Sequence, residues 1–260
     1  MAHRRSLGAH PDFEDERDYT CSYSLNPDEP LPSKVNLQKK MPPIYNQGKI
    51  GSCTANSTLA AYSMLALRED RVVNDDIQSR LFQYYNTRVL EGKQEVDSGA
   101  SIRNSIKALN KFGTLPEEFW IYDSKKVCTR PPERCYQKAL EHRALAYERV
   151  PVTEYQWKSA LVNNDVVVFG MEVFSGMMTK HASKTGFVHS PGPEERREGC
   201  HAVCLVGYDD DLVDSSRPDV TGFFVVRNSW GESWGQKGHF FLPYTYLSHC
   251  FDSWKLSTVD

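Results

Sequence analysis

No run of about 18 consecutive apolar residues occurs anywhere in the chain, which excludes a membrane-spanning helix of ordinary length. The basic start, Met1-Ala-His-Arg-Arg, is not followed by the apolar stretch that a secretory signal needs, so a soluble, cytoplasmic protein is expected. Cysteine is sparse and odd in number, with seven residues at positions 21, 53, 128, 135, 200, 204 and 250. At that density they argue for a reducing compartment and against a disulfide scaffold. Cys128, Cys135, Cys200 and Cys204 lack the tight Cys-x-x-Cys spacing of a structural zinc module, and neither metal nor cofactor is expected. Neither sign of charge dominates, since 31 Lys and Arg face 34 Asp and Glu for a net charge of −3. The excess acidity sits in residues 1–30, which hold three basic and seven acidic residues. The rest of the chain is close to neutral and offers no electrostatic footprint for nucleic acid or anionic lipid. There is no internal repeat.

What is present is the composition of an ordinary globular protein: 260 residues, 40% apolar and 25% charged, enough for a full core. Residues 1–30 are polar and acidic (Asp12, Glu14, Asp15, Glu16, Asp18), with Tyr19, Tyr23 and Leu25 as the few candidate anchors. They read as an extended arm, either a mobile tail or a segment docked on the body. Thr54 to Leu67 combines good helix formers with apolar side chains on more than one face, the pattern of a helix buried on most sides. Ser101 is positioned to cap a second helix with Ile102, Ile106 and Leu109 on one stripe, and Gly113 to end it. A further helical stretch is expected over Glu154–Leu161. Short β-branched and aromatic runs then follow at Val166–Phe174, His201–Tyr208, Phe223–Arg227 and Gly238–Leu242. Lys180–Gly199 and Asp209–Thr221 read as long polar loops. The division expected is an arm (1–30), a mainly helical lobe (31–145) and a mainly β lobe (146–260), an α+β architecture with a cleft between the lobes.

Three sequence neighbourhoods carry chemistry. Cys53, in Gln47-Gly-Lys-Ile-Gly-Ser-Cys53, stands immediately ahead of the buried helix. Unpaired N–H groups and the positive end of the helix dipole favour a thiolate there. His201 opens a strand in Gly-Cys-His201-Ala-Val, and Asn228 follows in Asn228-Ser-Trp230-Gly-Glu-Ser-Trp234-Gly-Gln-Lys-Gly238. An Asn carbonyl can accept one imidazole N–H and so aim the other ring nitrogen at a thiol, while Trp230 shields that bond from water. Taken singly, a Cys is more often a small buried hydrophobe and a His a satisfied core residue.

Together and in this order, the three motifs resemble those of the papain-like cysteine peptidases, from about Leu31 to the C-terminus. The resemblance implies a papain-like two-lobe fold, with a helical left lobe and an antiparallel β-barrel-like right lobe enclosing the active-site cleft. It implies Cys53 as nucleophile, His201 as base and then acid, Asn228 as orienting group, and Gln47 as an oxyanion donor beside the Cys53 backbone N–H. By the same likeness Ser98 and Gly99 hold the substrate backbone, Ala202 lines the pocket for the second residue before the cut, and Trp230 walls the site. This chain departs from the family in three places: Ile50 replaces a disulfide-forming cysteine, Thr54 replaces the tryptophan after the nucleophile, and Cys200 replaces the usual Asp or Asn before His201. None removes a group that the chemistry requires.

The expected function is hydrolysis of a polypeptide substrate through a thioester, in an endopeptidase whose residues 1–30 form a short autoinhibitory arm. That layout resembles bacterial-type zymogens with short pro-segments. Two rivals are a thiol acyl transferase or transpeptidase with the same triad, and a non-catalytic binding module on the same fold.

Overall fold

The computed structural model describes residues 6–24, 30–69, 77–140 and 145–258. The candidate anchor Leu25 and the basic start at residues 1–5 lie outside them. The chain runs β1 (Ala9–His10), β2 (Lys34–Asn36), α1 (Cys53–Arg68), α2 (Arg80–Leu90), β3 (Ala100–Ser101), α3 (Ile102–Phe112) and α4 (Glu133–Ala139). It continues through β4 (Leu145–Arg149), α5 (Glu154–Val162), β5 (Val167–Phe174), α6 (Lys180–Thr185), β6 (Arg197–Asp214), β7 (Arg217–Arg227), β8 (His239–Pro243) and β9 (Cys250–Thr258). Helices thus dominate before residue 140 and strands after it, an α+β arrangement.

Helix α1 is the hinge of the packing. Every residue from Cys53 to Ala66 is buried, so small side chains (Ala55, Ala60, Ala61) alternate with large ones to let helices and sheet approach from several sides. Ser101 caps α3 by accepting from the Asn104 N–H, and Gly113 takes φ +75° to close it. The strands form a seven-stranded antiparallel sheet in the order β4-β9-β5-β6-β7-β8, with β2 on β6. Its packing centre is Trp157 of α5, fully buried, with its ring 4.4 Å from Phe169 and 5.2 Å from Phe224.

Two expectations fail. Asp209–Thr221 is no loop: β6 runs on to Asp214 and β7 begins at Arg217, paired through Val213↔Thr221 and Asp214↔Arg217. This end of the hairpin lies largely exposed on both faces, so the apolar alternation that marks a strand is not required of it. Lys180–Gly199 likewise contains α6 and the start of β6 rather than an unbroken loop. Thr179 caps that short helix and Gly186, at φ +82°, ends it.

Residues 6–24 lie against the body. Cys21 donates its N–H to Arg149 O (2.8 Å), Arg149 donates its own to Tyr19 O (2.8 Å), and the Tyr23 hydroxyl reaches Asp165 (2.8 Å). The Tyr19 ring is 78% exposed, so this residue holds the arm by its backbone rather than as an apolar anchor. Asp18 bridges Arg103 (2.7 Å) and Arg149 (2.9 Å), and Arg149 also meets Asp252 (3.0 Å). Asp12 accepts from the Trp254 indole (2.9 Å) and the Arg103 N–H (3.1 Å). Burial and the neighbouring Asp252 raise its pKa.

Candidate active site

Cys53 is the first residue of α1 and is fully buried. Gly51 makes the turn into it, its N–H held by the Asp97 carboxylate (3.1 Å). Backbone N–H groups of Ala202, Gly8 and Thr54 favour the thiolate, but burial outweighs them and pushes the thiol up to about 11. Ala202, the residue after His201, shares a core cluster with Cys53. The sheet and the helical half meet at Cys53.

His201 lies in β6 opposite Met171 of β5 and is also fully buried. Its Nε2 is 2.8 Å from Asn228 Oδ1, just past the end of β7. A carboxamide oxygen can only accept, so Nε2 carries the proton and Nδ1 is left with its lone pair. Nδ1 is buried and has no hydrogen-bond partner. Burial lowers the His201 pKa to about 4, against the hydrogen bond to Asn228. Trp230 stacks on the imidazole at 4.8 Å between centroids, and Trp234 meets Trp230 edge-on at 4.8 Å. The indole thus covers one imidazole face and keeps water from the His201–Asn228 bond.

Gln47 is fully buried. Its Oε1 accepts from the Ser229 hydroxyl, which fixes the amide so that Nε2 points to Ile50 O (3.0 Å) and Ser6 O (3.1 Å). Ser229 is a positioning residue that sequence reasoning passed over, although it stands inside the Asn-Ser-Trp motif. Tyr84 is another, because its hydroxyl donates to Asp97 (2.6 Å) and accepts from the Gly99 N–H (2.9 Å), tying the Gly99 segment to the turn before Cys53. Only its place on a helix that went unread could have revealed it.

The chain's own arm fills the groove in front of these residues. β1 pairs in parallel with β3, Ala9 opposite Ala100, and the Ala100 N–H donates to Gly8 O (2.8 Å). His10 Nε2 reaches Ser98 O (2.6 Å), so Ser98 and Gly99 already have a peptide beside them. A cleft of about 570 Å³ is bordered by Leu7, Gly8, Ala9, Ser98, Arg197 and Cys200 among others. Ala202 is placed differently, 1% exposed beside a small internal cavity with Ser57 and Ala60. The four cysteines weighed as a zinc set form no ligand cluster among the described residues, and all seven cysteines are free thiols.

The papain family cysteine protease profile matches residues 31–251. The chain belongs to this family. It is 38% identical over 211 residues to a peptidase C1-like protein of Acanthamoeba polyphaga mimivirus, covering 78% of this chain and 65% of that one. Its structure matches that of xylellain, a cysteine protease from Xylella fastidiosa, at TM-score 0.84 with 35% identity and full coverage of both chains. The papain-like fold extends to digestive procathepsin L 3 of Tenebrio molitor larval midgut, at TM-score 0.69 and 17% identity over 97% of this chain and 76% of that one. The chain spans 57–65% of the length of the relatives first matched by sequence. Among the described residues, no helix of this papain-family chain is long and apolar enough to cross a membrane.

Proposed function

We propose that this protein is a cysteine endopeptidase with a Cys53-His201-Asn228 triad, and that residues 6–12 hold it closed. The observation that carries the reading is the lone pair left on the buried His201 Nδ1 by the Asn228 hydrogen bond, with Cys53 buried in the same core cluster as Ala202, the residue after His201. In the reaction His201 takes the thiol proton, the thiolate attacks a peptide carbonyl, and Gln47 Nε2 with the Cys53 N–H stabilises the oxyanion. The imidazolium then protonates the leaving amine. Water, deprotonated by the same nitrogen, hydrolyses the thioester and restores the thiol.

The arm's placement supports inhibition without cleavage. Ser6 O occupies the Gln47 amide, and Gly8 crosses Gly51, its N–H favouring the Cys53 thiolate as a donor and offering no electrophilic carbon. Burial holds thiol and imidazole in their neutral forms. Cys53→Ala and His201→Ala are each expected to remove peptide cleavage while the fold survives. Full cleavage by the Cys53→Ala protein would end the peptidase reading. Deletion of residues 1–30 is expected to speed both cleavage and alkylation of Cys53; unchanged rates would end autoinhibition alone. Product analysis with an added amine separates hydrolysis from acyl transfer.

A further inference from the structure

On the sheet half of the molecule, two histidines and an aspartate converge that take no part in the chemistry above. His181 belongs to α6, His189 lies three residues past Gly186, and Asp214 ends β6. His181 Nε2 is 3.0 Å and His189 Nε2 3.3 Å from the same carboxylate oxygen, Asp214 Oδ2. The two imidazoles are stacked at 5.6 Å with 19° between their planes, so both present Nε2 to one point. The ligand-capable atoms of all three residues lie within 4.8 Å of one another.

Hydrogen bonding accounts poorly for this crowding. The Ser216 hydroxyl donates to Asp214 Oδ2 (2.9 Å) and stands 3.4 Å from His181 Nε2, so the His181 and Ser216 hydrogen bonds already take the two lone pairs of Oδ2. Asp214 Oδ1 is meanwhile taken by the Ser216 N–H (2.9 Å). His189 Nε2 stands 3.3 Å from Oδ2 without a hydrogen bond to it, and His189 Nδ1 is buried without a partner. Tetrahedral coordination removes the conflict. With metal–nitrogen and metal–oxygen bonds of about 2.0–2.2 Å, neighbouring ligand atoms stand about 3.3–3.5 Å apart, close to the two nitrogen–oxygen separations of 3.0 and 3.3 Å. The Asp214 side chain is almost wholly buried, whereas those of His181 and His189 are 37% and 24% exposed, which leaves a solvent side for entry and for a water ligand.

We propose that His181, His189 and Asp214 form a binding site for a divalent cation of the zinc class. Two neutral imidazoles with one carboxylate is a borderline-soft donor set, suited to zinc and unsuited to calcium or magnesium. The ion ties the end of the β6–β7 hairpin to the α6 segment. That segment packs in turn on the loop after Asn228 through the Gly235 N–H bond to Ser183 O (2.8 Å). Its role is to fix this corner of the sheet, separate from the thiol chemistry.

The test uses the full chain carrying Cys53→Ser, so that the proposed nucleophile cannot compete for metal. Zinc titration by calorimetry is expected to show one equivalent bound. Loss of an outer partner of a metal ligand costs about 10–100-fold in affinity, so His181→Ala and His189→Ala should each weaken binding by more than about tenfold. Zinc should raise the melting temperature of the parent and not of these variants. Cobalt bound in place of zinc should show ligand-field bands without thiolate charge transfer. The proposal is overturned by absence of saturable binding, by undiminished binding in both histidine variants, or by a thiolate band from cobalt. His181, the more exposed ligand, keeps the test valid should His189→Ala fail to fold.

Discussion

Gly8 is the position where the arm passes closest to the body. A Cβ placed there would stand 2.0 Å from Gly51 O, 2.6 Å from Gly51 C and 2.7 Å from Gly51 Cα. These are backbone atoms of the turn into Cys53, held by Asp97, and cannot swing aside as a side-chain tip would. Gly8→Ala must therefore lift the arm and lose the Ala100 N–H bond to Gly8 O. Overpacking costs about 1–3 kcal/mol and a backbone hydrogen bond about 0.5–1.5 kcal/mol net, so the closed state should weaken by about 2–4 kcal/mol. That is about 30- to 900-fold in the ratio of open to closed molecules. The assay is the rate of Cys53 modification by an epoxide inhibitor, resolved from the other cysteines by peptide mapping, together with cleavage of a fluorogenic peptide. Gly192→Ala, where nothing lies within 4 Å of an added Cβ, serves as control and should behave as the parent. If Gly8→Ala reacts no faster than this control while its melting temperature is unchanged, the arm does not gate the thiol.

Removing the Gln47 amide by Gln47→Ala should lower kcat by about 10²–10³-fold, the usual effect of losing one oxyanion donor, with the protein still folded by circular dichroism. Closure should depend on pH on both sides. Cys53, raised from 9.0 to about 11 in the closed form, stabilises closure fully below its ordinary value and ceases to do so as pH climbs towards 11. His201, lowered from 6.5 to about 4, stabilises it above 6.5 and ceases to do so as pH falls towards 4. The ratio of Cys53 alkylation rates between the chain lacking residues 1–30 and the intact chain should therefore peak between about pH 6.5 and 9; a ratio flat across pH 4–11 would contradict this. Trp157→Ala should destabilise the protein by about 3–5 kcal/mol in urea unfolding, since it empties the packing centre under the sheet.

Sequence reading reached the site more easily than the scaffold around it. Cys53 at a helix start, His201 on a strand and Asn228 after one were visible because each sits where hydrophobic periodicity changes. The helix α3 was legible from its cap and its glycine stop. Helix α2 was not, because Arg80, Gln83, Asn86 and Arg88 look like surface residues and are all buried. Each has a partner far off in the linear sequence: Arg80 pairs with Glu117 (2.8 Å), Gln83 donates to Ser105 O (2.5 Å), Asn86 accepts from the Tyr136 hydroxyl (3.0 Å), and Arg88 donates to Val127 O. The end of the β6–β7 hairpin was hidden for the opposite reason, since a ribbon exposed on both faces carries no apolar alternation to betray it. The crossing of Gly8 over Gly51 depends on a contact 43 residues apart that no local pattern records.

Asn228 and Ser229 are neighbours in the chain, yet one orients the imidazole on the sheet and the other the carboxamide ahead of the first long helix. A single peptide unit therefore sets the aim of both the proposed proton carrier and the proposed anion receptor. Any displacement of that unit misaligns the two together, so damage there should appear in acylation and deacylation alike, and substitutions at His201 and Gln47 should fall short of additivity once this link has been cut.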